Sequence, residues 1–95
     1  MTTGNPAVLA ALTERGLVYL LDEVCRTHHV TRDEVTGRNR SRSVSFARQD
    51  LWWRLRESHG FSYVELGRIF ARNHTTVLHG VRAWGTQMLA VRRAA

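Results

Sequence analysis

The stretch that most narrows what this chain can become runs over residues 65–77, E-L-G-R-I-F-A-R-N-H-T-T-V. Leu66, Ile69 and Phe70 fall at i, i+3 and i+4, the spacing of one apolar helix face. Ser62-Tyr63-Val64-Glu65 just before them has the S-x-x-E form in which a hydroxyl and a carboxylate each take an orphan amide at a helix start. Gly67 and Ala71 are small enough, on one face, to let a second helix cross closely. Asn73 is a good N-cap for that helix, whose apolar positions Val77, Val81, Trp84 and Met88 follow in steps of four, three and four. A short helix, a tight turn and a second helix opening with outward His74, Thr75 and Thr76 form a helix-turn-helix, the layout that presents side chains to base edges.

Charge points the same way. Ninety-five residues make one small domain with a formal charge of +6. The charge is unevenly spread: residues 1–36 hold three arginines against five acids, and residues 37–95 hold eleven against three. The positive excess therefore lies with the helix-turn-helix, where it favours a polyanion such as double-stranded DNA. Every basic residue is arginine, and Cys25 is the single cysteine, so no internal disulfide forms and a reducing compartment is expected. No apolar run approaches a membrane span and no secretory signal is visible. The expected location is the cytoplasm, in association with the nucleoid, with no membrane partner.

In chain order, Asn5-Pro6 reads as a helix start, and Ala7 to Leu12 as a short helix interrupted at Gly16. Residues 1–16 are taken as a partly helical N-terminal extension, 17–90 as the binding domain and 91–95 as a frayed end. Leu17, Leu20, Leu21, Val24, Cys25 and His28 form one core-facing stripe on a helix ending near His28-His29. Thr31 to Glu34 repeats the capping signature and opens a short helix that stops at Gly37. Residues 37–45, G-R-N-R-S-R-S-V-S, read as a loop whose Arg38, Arg40 and Arg42 form a basic arm toward DNA phosphates or the minor groove. A helix is expected over residues 46–59, with a buried stripe of Val44, Ala47, Leu51, Trp52 and Leu55 and with Trp53 either against the N-terminal helix or partly exposed. The last helix is expected from His74 to about Leu89.

Other chemistry finds little support in the sequence. His74 and His79 are five apart, on different helix faces, and Cys25-x2-His28 lacks a second pair, so no metal is expected. Cys25 lies on the core stripe, the acids are scattered, and no phosphate-binding glycine loop occurs. The chain is read as no enzyme, with no cofactor and no bound nucleotide.

Four segments together resemble a known family: R-S-R-S-V (40–44), Arg48-Gln49, S-Y-V-E-L-G-R (62–68) and H-T-T-V-L-H (74–79). They are similar to the C-terminal DNA-binding domain, domain IV, of the bacterial replication initiator DnaA, over about residues 17–90. The resemblance implies an all-α fold of five to six helices containing a helix-turn-helix, of the kind also called Trp repressor-like. It implies that Asn73, His74, Thr75 and Thr76 face bases in the major groove, the threonine methyls against thymine methyls. Arg40 would enter the minor groove. Arg42, Arg48, Gln49, Tyr63, Val64 and Arg72 would hold the phosphate backbone, with Arg38 and Ser62 beside them.

The sequence departs from that pattern at three points. Where the family reads F-G-G-R-D-H-T-T, this chain reads F-A-R-N-H-T-T, one residue shorter in the turn. Its Asn73 replaces an aspartate that would accept from a cytosine amino group; asparagine also donates and prefers adenine. No ATPase region accompanies the domain in this sequence. The expected function is sequence-specific binding at DnaA-box-like sites that modulates replication initiation or transcription, as a phage or mobile element would use. The alternative is an adaptor with the same fold that contacts the replication initiator or its regulators through the acidic N-terminal helix.

Overall fold

A computed structural model describes residues 4–94, and among these it is all-α. Six helices follow in order: α1 Pro6–Glu14, α2 Val18–His28, α3 Arg32–Thr36, α4 Arg42–His59, α5 Tyr63–Phe70 and α6 His74–Ala94.

Local chemistry explains most helix ends. The Asn5 side chain accepts from the Ala7 amide with Pro6 at the first helical position, and α1 stops where Gly16 takes a left-handed φ of 68°. Both S/T-x-x-E signatures form full capping boxes, Thr31 with Glu34 on α3 and Ser62 with Glu65 on α5. Gly60, also at φ 68°, ends α4, and Phe61 turns inward behind it.

Two helices are longer than the sequence reading expects. α4 begins at Arg42, four residues ahead of Phe46, so Arg42 and Val44 belong to its first turn and the true loop is residues 37–41. Asn39 closes that loop by accepting from the Ser41 amide at 2.8 Å. Val44 is buried and carries the stripe of Ala47, Leu51 and Leu55 one turn upstream, which draws the serines and arginines around it into helix. α6 likewise continues past Leu89 through Ala94.

The core gathers around α4, which packs against α2, α3 and α6. Leu51, Trp52 and Leu55 meet Leu21 and Val24 from α2, Leu66 and Phe70 from α5, and Val77 and Val81 from α6. Trp52 stands edge-on to Phe70, with ring centroids 5.7 Å apart at 89°. Val8 and Leu12 of α1 are fully buried in the same cluster, so residues 6–14 contribute to the core. Trp53 is half-buried against α6 rather than α1, its Nε1 lying 3.5 Å from where a methyl group on the Gly85 Cα would stand.

A polar network crosses the same layer. Asp50, 3% exposed, accepts from Arg54 Nε at 2.9 Å and meets His28 Nε2 at 2.9 Å, while Arg54 Nη1 donates to Glu23 at 2.8 Å. His28 also stands edge-on to Trp84, 5.3 Å between centroids. A buried carboxylate needs its partners, and this one ties α2 to α4 with α6 alongside. Among the described residues, no helix is long and apolar enough to cross a membrane.

Candidate nucleic-acid interface

α5, a three-residue turn and α6 form the helix-turn-helix. The crossing depends on Gly67: a Cβ there would stand 2.7 Å from the Arg72 carbonyl and 3.2 Å from the His74 amide. Ala71 does not share this role. It is exposed and sits beyond α5 in the left-handed region, φ 54°, so the small residue on the crossing face is Gly67 alone of the expected pair.

Asn73 caps α6. Its Oδ1 accepts from the Thr75 amide at 2.9 Å and from the Thr75 hydroxyl at 2.7 Å, so both lone pairs are engaged. Its backbone carbonyl accepts from Thr76 and Val77. Val77 is fully buried, which pins the helix, and Asn73, His74, Thr75 and Thr76 stand exposed on the turn in front of it.

Beside this turn lies an open groove of about 680 Å³. Arg38, Arg40, Arg48 and Arg72 line it with Gln49, and its α6 wall is Thr76, His79, Gly80 and Ala83. The four arginines are not equivalent. Arg38 and Arg40 are exposed, and Arg42 stands exposed nearby at the head of α4. Arg48 is 6% exposed: its Nε donates to the Val35 carbonyl at 2.9 Å, and its Nη2 lies 3.0, 3.0 and 3.1 Å from the carbonyls of Glu34, Gly37 and Asn39. Burial, then the charge of Arg72, pulls its pKa down to about 10. Arg72 is half-buried and donates to the Phe70 carbonyl at 3.1 Å and to the Gly37 carbonyl at 2.9 Å. Its pKa is also lowered, by burial first and then by Arg38 and Arg40. Among the described residues, none of these four takes part in an ion pair. The groove is therefore a concentration of positive charge that, among the described residues, has no carboxylate paired to it.

The remaining expected contacts lie elsewhere. Gln49 is half-buried in the groove, whereas Ser62, Tyr63 and Val64 open α5 away from it. Tyr63 lines a separate cleft on the other flank of α6 with Trp53, Val81, Arg82 and Gly85, and the Arg56 guanidinium stacks 4.0 Å over its ring. The Ser62 hydroxyl is committed to the Glu65 amide. Val64 is exposed. Sequence reasoning weighed His79 only as a metal ligand, yet it shares the groove wall with Thr76. The i, i+3 spacing of the two was the signal for that shared face.

A helix-turn-helix flanked by an arginine groove describes many proteins; comparison with known sequences narrows it. The family model described as "Bacterial dnaA protein helix-turn-helix" matches residues 19–83, from the second residue of α2 well into α6.

The chain belongs to this DnaA helix-turn-helix family.

It is 44% identical over 63 residues to the chromosomal replication initiator protein DnaA of Thermomicrobium roseum, covering 65% of this chain and 14% of that protein. To the DnaA of Bifidobacterium animalis subsp. lactis it is 34% identical over 88 residues, 79% of this chain and 15% of that protein. The DnaA of Herpetosiphon aurantiacus is 41% identical over 59 residues, 61% and 12%. The chain thus spans about a seventh of the length of these relatives, and what it matches is the DNA-binding helix-turn-helix, not a catalytic region. No solved structure matches it.

Proposed function

We propose that this domain binds double-stranded DNA sequence-specifically, at sites of the DnaA-box kind, and thereby modulates replication initiation or transcription. The first turn of α6 enters the major groove, and Asn73, His74, Thr75 and Thr76 meet base edges. The loop of residues 37–41 carries Arg40 to the adjacent minor groove, where an arginine gains most over narrow A/T-rich steps. Arg38, Arg42 and Gln49 face phosphates on one flank of α6, and Ser62, Tyr63 and Val64 on the other.

The observation that carries this reading is the exposed, capped first turn of α6 standing beside four arginines that, among the described residues, no acid pairs with. The adaptor alternative has less to work with. Of the N-terminal acids, Asp22 is held by Arg32 at 2.7 and 2.8 Å, Glu23 by Arg54, and Glu34 by its capping box.

Asn73 gives the site its own preference. With Oδ1 taken twice by Thr75, only the Nδ2 amide is left to face a base. A two-bond contact to adenine requires that oxygen, so the reading of Asn73 as an adenine selector gives way to a simpler rule. Asn73 donates to an acceptor on guanine, thymine or adenine and rejects cytosine, which presents only a donor in the major groove.

Selection of bound sequences from random duplexes tests the function. A common core should emerge, with affinity falling steeply as salt rises. Recovery of unenriched duplexes, or no binding near physiological salt, would contradict it.

A further inference from the structure

We infer that Arg72 is a positioning residue that joins the turn of the helix-turn-helix to the arginine loop through the carbonyl of Gly37, holding Arg40 at a fixed distance from the first turn of α6. The inference rests on the DNA-binding reading above and assigns Arg72 a role other than gripping phosphate.

Arg72 occupies the turn, immediately before Asn73. Its two terminal nitrogens divide between the Phe70 carbonyl, at the end of α5, and the Gly37 carbonyl, 35 residues away in sequence, at 3.1 and 2.9 Å. The same Gly37 oxygen accepts from Arg48 at 3.0 Å, and Arg48 also gathers the carbonyls of Glu34, Val35 and Asn39. The loop is therefore held on both sides of Arg38, at residues 37 and 39, while the side chains of Arg38 and Arg40 remain outside. An arginine meant for phosphate keeps its fork outward, as these two do; Arg72 is half-buried and has turned its fork onto two backbone carbonyls, beside other cations.

The arrangement follows from what two-groove recognition requires. A major-groove helix and a minor-groove arm bind one rigid duplex, so their separation must be right before contact, or ordering the loop consumes affinity. A planar fork can bridge two carbonyls; an ammonium at the end of a flexible chain cannot fix the same geometry.

A double-mutant cycle on the selected duplex tests this. Affinity is measured for the parent chain, Arg40→Ala, Arg72→Lys and the two combined, with a thermal melt of each. Arg40→Ala should weaken the parent by about tenfold, the loss of roughly 1.4 kcal/mol. In the Arg72→Lys background the same change should cost less than about threefold, because an unheld arm has already lost most of its contact. Arg72→Lys alone should lower the salt slope by no more than Arg40→Ala does, since only the arm's contact is lost and Arg72 itself grips no phosphate. Should Arg72→Lys fail to fold, the shorter Arg72→Gln takes its place in the same cycle. Equal Arg40→Ala penalties in both backgrounds, or no penalty in the parent, would overturn the inference. A parent that selects no duplex would instead overturn the DNA reading itself.

Discussion

Gly80 of α6 lies flat against the indole of Trp52: a methyl group on its Cα would stand 2.9 Å from both Cε3 and Cζ3. That contact sets how closely α6 rests on α4. Thr76 and His79, which wall the groove, take their height above it from the same contact.

Gly80→Ala should therefore destabilise the domain despite alanine's better helix propensity. Overpacking costs about 1–3 kcal/mol, against about 1 kcal/mol gained in the helix. A thermal melt should show a net loss of about 1 kcal/mol, and DNA affinity should fall with it as α6 is pushed outward. Trp52→Ala removes the other partner and should cost about 3–5 kcal/mol, enough to unfold much of the population. A melt near the parent's in the second case would contradict the core described here.

Ala71 makes the opposite case. It holds φ 54° in the turn, a region that disfavours any side chain by about 1–2 kcal/mol, and it does so where the longer family turn carries glycines. Ala71→Gly should raise stability by about 0.5–1 kcal/mol after glycine's own entropy is subtracted, lifting Tm by a few degrees. An unchanged or lower Tm would mean that the turn is not strained there.

Asn73→Asp separates donor from acceptor at one site. Aspartate caps α6 as well as asparagine does, so the fold should survive. One carboxylate oxygen would serve the cap and the other would face the groove, accepting where Asn73 donated. In a repeated selection, one position of the bound site should move toward cytosine, by about 1–3 kcal/mol relative to the other bases. If the parent already prefers cytosine at the position that moves, the donor reading of Asn73 is wrong.

What could be read from the sequence was whatever local chemistry decides. Both capping boxes were legible because their partners lie three residues apart. The buried row of Val77, Val81 and Trp84 was legible because helical period alone places it. The start of α4 was not, since residues 40–43 alternate serine with arginine and the apolar anchor, Val44, stands alone there. Arg48 was harder still: its acceptors are backbone carbonyls 9–14 residues upstream, which no side-chain pattern announces. For the same reason a phosphate role was the natural reading of Arg72, whose inward fork depends on where the loop of residues 37–41 folds back. The exposed face of α6 was visible at its first turn. Its extension to His79 was signalled only by the i, i+3 spacing from Thr76, and the groove shows the two on one wall.

If the first turn of α6 reads base sequence, replacing Thr75 and Thr76 should remove that reading. Both are exposed, and neither contributes to the core, so Thr75→Ala with Thr76→Ala should leave the fold standing. The measurement is a competition gel shift between the selected duplex and a scrambled one of equal composition, at fixed salt. Each lost base contact should cost roughly 1–3 kcal/mol, so discrimination should collapse while the salt-dependent, sequence-blind binding from the arginines persists. Undiminished preference for the selected duplex in the double variant would contradict the account.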